Sequence, residues 1–219
     1  MTPKREIPKA TAKRFPLYLR YLKMLGESGV TRIKSKEFSD MIQVPPATIR
    51  RDFSHLGELG RSGYGYDVPY LIEVFSSILN TQQEKCIALV GCGNLGRALI
   101  KNNFRRNENL NIVCAFENDP CVVGSEIDGL KVYPMEDFTK VVNETGASVA
   151  ISTVPSQFSQ EAIDVIVASG ITAILNFAPD RVIVPSNVKV QYIDLTTELQ
   201  TLIYFDDKFP ARKLQDVLE

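Results

Sequence analysis

The chain has no tryptophan and a single histidine, His55, among its 219 residues. Its four cysteines (Cys86, Cys92, Cys114, Cys121) form no C-x-x-C pair and carry no metal-site spacing, which argues against a disulfide scaffold and a structural metal site. No stretch approaches about 18 uninterrupted apolar residues, so no membrane span is expected. The opening Met-Thr-Pro-Lys-Arg-Glu has no apolar core behind it, so no secretory signal is expected either. A reducing, cytoplasmic setting fits best. With 44% hydrophobic and 23% charged residues, the composition also excludes a disordered or collagen-like chain.

Overall charge is nearly absent too, but its distribution is uneven. Residues 1–66 hold 13 Lys+Arg against 6 Asp+Glu, a surplus of seven positive charges. The rest of the chain reverses that sign, bringing the net charge to −1. A basic first third joined to an acidic remainder reads as two modules, the first facing a polyanion.

In the first module, Ala10 to Leu25 has helical spacing at Phe15, Leu19, Leu22 and Leu25, with Pro16 starting or bending the helix. Ser35 is the expected N-cap of a second helix, with Phe38, Met41 and Ile42 inward. A third begins at Pro46, a residue suited to the first helical position. On it Ile49, Phe53 and Leu56 share an inner face. Ala47, Arg50, Arg51 and Ser54 share the opposite one. Small residues permit close approach to a major groove, and arginines reach guanine edges or phosphates. Two helices and a tight turn, the second so decorated, suggest helix-turn-helix. The glycine-punctuated Gly57–Tyr66 segment reads as a hairpin, or wing, with Arg61 and Tyr64 near its tip. A linking helix follows over 68–80, with Leu71 and Phe75 inward.

The second module opens on an apolar strand, Cys86–Val90, followed by Gly91-Cys92-Gly93-Asn94-Leu95-Gly96 and a helix. A G-x-G-x-x-G between a strand and a helix is the dinucleotide fingerprint in its required context. Gly91 makes the turn, Gly93 admits a pyrophosphate and Gly96 lets helix and strand pack. A second strand, Asn111–Phe116, ends at Glu117, placed to accept hydrogen bonds from ribose hydroxyls. Asn118, Asp119 and Pro120 supply no cation for a 2′-phosphate, so NAD(H) is expected over NADP(H). Strands at 147–153, 171–177 and 189–194 and a helix at 158–168 continue the alternation. Strand-end residues Thr153, Val154, Pro155, Asn176 and Phe177 then face the nicotinamide half of the ligand crevice. An apolar helix over 196–205 closes the chain and packs either on its own domain or on a second subunit.

Several segments together resemble the Rex family of redox-sensing transcriptional repressors. They are Ile7–Thr11, Ala47–Ser54, Gly63–Val68, the Gly91–Gly96 loop, Thr153-Val154-Pro155, Ile174–Pro179 and Asp194-Leu195. The resemblance covers nearly the whole chain. It implies an α/β architecture: a winged helix-turn-helix domain with its linking helix over 1–80, a Rossmann NAD(H)-binding domain over 81–194, and a C-terminal helix and tail over 195–219 swapped within a homodimer. It implies binding to palindromic operator DNA when NADH is scarce and release when NADH rises. Lys36, Ala47, Thr48, Arg50, Arg51, Ser54, Arg61 and Tyr64 then serve DNA. Two positions depart from the family pattern. Asn102 stands where a tyrosine is common, and Ser54-His55-Leu56-Gly57 replaces Ser-Tyr-Phe-Gly.

Two other classes compete. An NAD-dependent dehydrogenase needs a proton donor and a substrate pocket. The lone histidine, however, lies in the basic module, and roughly 115 residues leave no room for a substrate domain. A thiol-based regulator could use Cys92, whose place at a helix N-terminus could lower its pKa, but no neighbouring cysteine offers a resolving partner and a small side chain packing beneath the pyrophosphate is the favoured reading.

Overall fold

A computed structural model describes residues 7–61, 64–102 and 109–208. The chain divides into two compact units, Met1–Gln83 and Glu84–Glu219.

In the first unit the elements run α1 (Lys9–Ala12), α2 (Phe15–Glu27), β1 (Arg32–Ile33), α3 (Ser35–Ile42), α4 (Pro46–Ser54), β2 (Gly60–Arg61), β3 (Gly65–Asp67) and α5 (Val68–Ile78). The helix expected as one run from Ala10 is therefore two. The chain breaks at Lys13 and Arg14, and Pro16 sits in the first turn of α2, where its missing N–H costs nothing. Ser35 is not the cap of α3 but its first residue. Lys34 precedes it, and the Lys34 backbone N–H donates to Glu37 Oε2 at 2.9 Å. Gln43, left-handed at φ 55°, ends α3 and turns the chain into α4 within three residues. β1, β3 and β2 form a small antiparallel sheet in that order, so the expected hairpin gains a third strand.

An aromatic core holds these pieces. Phe53 of α4 stands 5.4 Å from Phe75 of α5, 5.6 Å from Tyr18 of α2 and 4.8 Å from Tyr66 of the wing, ring centre to ring centre. One side chain of α4 thus meets α5, α2 and the wing, and it also stands 6.4 Å from Phe38 of α3; the edge-to-face pairs with Tyr18 and Tyr66 add to simple area burial. Leu71 and Phe75 are fully buried in this core, so α5 is part of the first unit rather than a free connector.

The second unit contains β4 (Lys85–Val90), α6 (Asn94–Asn102), β5 (Leu110–Glu117), β6 (Glu126–Ile127), β7 (Leu130–Pro134), α7 (Phe138–Thr145), β8 (Val149–Ser152), α8 (Ser156–Ala168), β9 (Ala173–Asn176), β10 (Lys189–Tyr192) and α9 (Leu195–Lys208). The sheet order is β10-β9-β8-β4-β5-β7-β6. All pairings are parallel except β6 with β7. Leaving out β6, the order is that of a doubly wound dinucleotide fold, with the strand order reversing between β4 and β8. β4 shows why: Ala88 and Val90 pack into one layer, Ile87 and Leu89 into the other, the pattern of a strand covered on both faces. Ligands bind such sheets at the carboxyl ends of the strands beside the reversal, where the Gly91–Gly96 loop begins.

Candidate cofactor loop and nucleic-acid face

At the carboxyl end of β4 each glycine has its own reason. Gly91 has φ +93°, and a Cβ there would lie 2.9 Å from Thr153 Oγ1. Gly96 is closed in the same sense, because a Cβ would overlap the Gly91 carbonyl oxygen. Gly93 is exposed and a Cβ on it would meet nothing within 4 Å. Two glycines are therefore demanded by the fold, while the third keeps open a space that the chain itself does not fill. The first-turn N–H groups of α6, at Leu95 and Gly96, have no carbonyl four residues back within the helix. With the helix dipole they favour an anion. Asn94 and Leu95 are exposed at this end.

Side chains brace the loop. Thr153 Oγ1 donates to the Gly91 carbonyl at 2.7 Å, which locks the end of β8 to the turn. Glu117 Oε2 accepts from the Cys92 N–H at 2.7 Å, and its Oε1 accepts from the Asn118 N–H at 2.7 Å. The carboxylate thus stands at the rim of the loop, half-buried. Beside it a cleft of about 190 Å³ is lined by Gly91, Glu117 and Val154, together with Met135, Glu136 and the α8 residues Phe158, Glu161, Ala162 and Val165. The four α8 residues follow i, i+3, i+4, i+7 spacing, a face legible in the sequence but not singled out there. Glu136 was out of reach because residues 118–146 had been given no elements.

Not all strand-end residues converge on this cleft. Pro155 is exposed just before α8. Asn176 is fully buried, with Nδ2 donating to Ser159 Oγ at 3.2 Å, so its amide organises the β9 turn. Phe177 is half-buried and packs on the Cys92 side of the sheet, whereas Val154 packs on the other. Cys92 agrees with the packing reading and not with the thiol rival. Burial, reinforced by the Glu117 charge, pushes its thiol up to about 11, and the side chain is buried. The helix N-terminus does not produce a reactive thiolate here. Asn102 Nδ2 donates to the Ala98 carbonyl of its own helix at 3.0 Å.

In the first unit, α4 presents Ala47, Arg50, Arg51 and Ser54 to solvent, with Thr48 half-buried, while Ile49 and Phe53 face inward. Arg50 Nη1 donates to Ser35 Oγ at 3.2 Å, and Lys36 is exposed on α3 nearby in sequence. Tyr64, largely exposed at the wing, lies under the Arg32 guanidinium at 5.8 Å. The backbone of Arg61 belongs to β2. Its side chain and Gly63 lie outside the described residues. His55 follows α4, with Nε2 buried and unbonded among the described residues.

The residue that sequence reasoning missed is Asp52, which interrupts the apolar face of α4. It is buried and accepts from Thr11, Arg14 and Tyr18. Burial alone would raise its carboxyl. The hydrogen bonds from these three partners outweigh that and hold it below the usual carboxylate range. The signal was present: a lone acid among Ile49, Phe53 and Leu56 at helical spacing.

Comparison with known proteins agrees with this anatomy. Residues 82–180 match the family described as "CoA binding domain", and residues 6–54 match "Putative DNA-binding protein N-terminus". Over 205 residues the chain is 74% identical to redox-sensing transcriptional repressor Rex 2 of Enterococcus faecalis, covering 94% of this chain and 95% of the relative. It is 50% identical over 206 residues to redox-sensing transcriptional repressor Rex of Latilactobacillus sakei, covering 94% and 99%. The chain belongs to the Rex family of redox-sensing transcriptional repressors. Solved Rex-family structures share its fold. The repressor RSP in complex with β-NAD+ and operator DNA superposes with a TM-score of 0.85 at 29% identity, covering 98% of this chain and 99% of that one. RSP in complex with β-NADH gives 0.82 at 28% identity, covering 97% and 98%. Among the described residues no helix is long and apolar enough to cross a membrane.

Proposed function

We propose that this Rex-family chain reads the cellular NADH/NAD+ balance. It binds palindromic operator DNA when NADH is low and releases it when NADH binds. The observation that carries this reading is the glycine loop, where Gly91 and Gly96 are closed by the fold and Gly93 alone is left open, in the same chain as the doubly arginine-bearing α4. Gly93, Asn94, Leu95 and Gly96 hold the pyrophosphate with backbone N–H groups. Glu117 takes the adenosine ribose and rejects a 2′-phosphate. Gly91, Cys92 and Thr153 shape the loop. Val154 lines the cleft, Pro155 and Phe177 stand at neighbouring strand ends on the nicotinamide side, and buried Asn176 holds the β9 turn behind them. When bound, NADH supplies the difference in ring charge and shape by which reduced and oxidised cofactor are told apart.

Arg50 and Arg51 read base edges or grip phosphates, with Ala47, Thr48 and Ser54 permitting close approach. Lys36, Arg61 and Tyr64 anchor the helix and wing to the backbone. The chain acts as a cytoplasmic homodimer, with α9 exchanged between partners; of the dimerisation segment 195–219, residues 209–219 lie outside the described residues. The winged-helix domain covers 1–80 and the NAD(H) domain 81–194. It is a regulator and not an enzyme, since the one histidine belongs to the DNA-binding unit.

A fluorescence-anisotropy titration tests this directly. The purified protein is titrated onto a palindromic duplex it has selected from a random library. NADH, NAD+, NADPH and no ligand are compared at one salt concentration, because phosphate contacts make affinity salt-dependent. Release by NADH alone is expected. Linkage requires that operator DNA weaken NADH binding by the same factor. Equal NADH affinity with and without operator would overturn the reading.

A further inference from the structure

The recognition helix carries one charged side chain on its buried side, and its bonding is unusually complete. Asp52 Oδ1 accepts from Thr11 Oγ1 at 2.9 Å and from Arg14 Nη2 at 2.7 Å. Oδ2 accepts from Arg14 Nε and from Tyr18 Oη, each at 2.6 Å. All four donors come from one short stretch of chain, the end of α1, the break after it and the first turns of α2. The break at Lys13 and Arg14 allows residues from both helices to reach one carboxylate.

A buried ion pair is a weak way to add stability, since well-packed apolar residues often do as well or better. Its distinctive property is geometric. A planar guanidinium fork bonds a carboxylate in one plane and at one separation, whereas the apolar contacts of Ile49 and Phe53 tolerate small rotations. Base readout depends on such rotations far more than phosphate contact does, because a bidentate pair to a base edge needs both donors aligned.

We propose that Asp52 is a positioning residue for sequence recognition: held by Thr11, Arg14 and Tyr18, it fixes the rotation of α4 about its own axis so that Arg50 and Arg51 meet base edges and not phosphates alone. The proposal rests on α4 being the recognition helix. It assigns to Thr11, Arg14 and Tyr18 a part in specificity although Thr11 and Tyr18 are buried in the core and Arg14 is partly buried.

The full-length chain is compared on its selected palindrome and on a scrambled duplex across several salt concentrations. Active fraction is measured by stoichiometric titration, and NADH affinity in parallel. Thr11→Val and Tyr18→Phe each remove one hydroxyl while keeping shape. They are expected to lower the palindrome-to-scrambled affinity ratio by about three- to ten-fold, a fraction of the full weight of one hydrogen bond to a charged group, because the other donors still hold the carboxylate. The salt slope on scrambled DNA and the NADH affinity stay unchanged, and Thr11→Ser keeps the wild-type ratio. A purely structural role would lower the active fraction, or both affinities together, and leave the ratio alone. That result, or a Thr11→Ser ratio as low as that of Thr11→Val, overturns the proposal. A wild-type chain that selects no sequence at all overturns the recognition-helix reading itself.

Discussion

Cys92 and Asp52 are each 1% exposed, and burial acts on both in the same direction by disfavouring the charged form. At Cys92 nothing sufficient opposes it and the Glu117 charge adds to it, so the thiol rises to about 11. At Asp52 three donors win and the carboxyl falls below its ordinary range. Alkylation by iodoacetamide at pH 8, followed by mass spectrometry, should therefore label the exposed Cys121 and leave Cys92 unmodified in the native protein. Early labelling of Cys92 would reopen a thiol switch. Asp52→Ala should destabilise the first unit by about 2–4 kcal/mol, at the lower side of a broken buried pair because Arg14 keeps some contact with water. The same depressed carboxyl sets a pH dependence. Its stabilisation is fully present above about pH 4, the unfolded carboxylate value, and is lost as pH falls through the lower folded value. Thermal unfolding of the full chain between pH 7 and pH 3 should show this acid limb, and Asp52→Asn should flatten it. Sequence reasoning singled out Cys92 but passed over Asp52, whose balance turns on donors 34 to 41 positions away.

The glycine loop was the most legible element. Strand, G-x-G-x-x-G, helix and a terminal acid each have a local signature, and the structure gives Gly91 and Gly96 the packing reasons that spacing alone suggested. Two substitutions separate fold from ligand. Gly96→Ala should reduce stability sharply, because its Cβ would meet the Gly91 carbonyl. Gly93→Val should melt like wild type yet lose NADH affinity by a hundred-fold or more, about 3 kcal/mol. Calorimetry for melting and intrinsic NADH fluorescence for binding would check both, and a normal NADH affinity in Gly93→Val would move the cofactor elsewhere. Helix boundaries in the first unit were less legible. The α1–α2 break and the Lys34–Glu37 contact depend on partners that periodicity does not reveal. Within 118–146, β6 has only two residues and β7 five, too short for alternation to show, whereas Phe138, Val141 and Val142 of α7 do carry a helical spacing. β7 takes its place by pairing with β5, and β6 by pairing with β7, rather than from their own sequence.

At the scale of the molecule, the charge split and the two fingerprints point to two modules with a boundary near residue 80, and the chain divides into compact units between Gln83 and Glu84. What α9 packs on was not readable. Leu195, Leu199 and Leu202 repeat along it and all remain more than half exposed within one chain, a row of apolar side chains that an isolated protein rarely leaves in water. Leu199→Glu with Leu202→Glu should convert a dimer to monomers in sedimentation and weaken operator binding by at least ten-fold, while NADH binding persists in part. An unchanged sedimentation coefficient would assign α9 another role. The open space over Gly93 has a genetic corollary. A single coding change there would yield a subunit that folds, assembles and holds DNA but no longer hears the cofactor. In a cell that also carries the normal allele, the unresponsive protein would keep occupying operators, so under the proposed function such an allele should be dominant. Alleles at Gly96, which cost the fold itself, should be recessive.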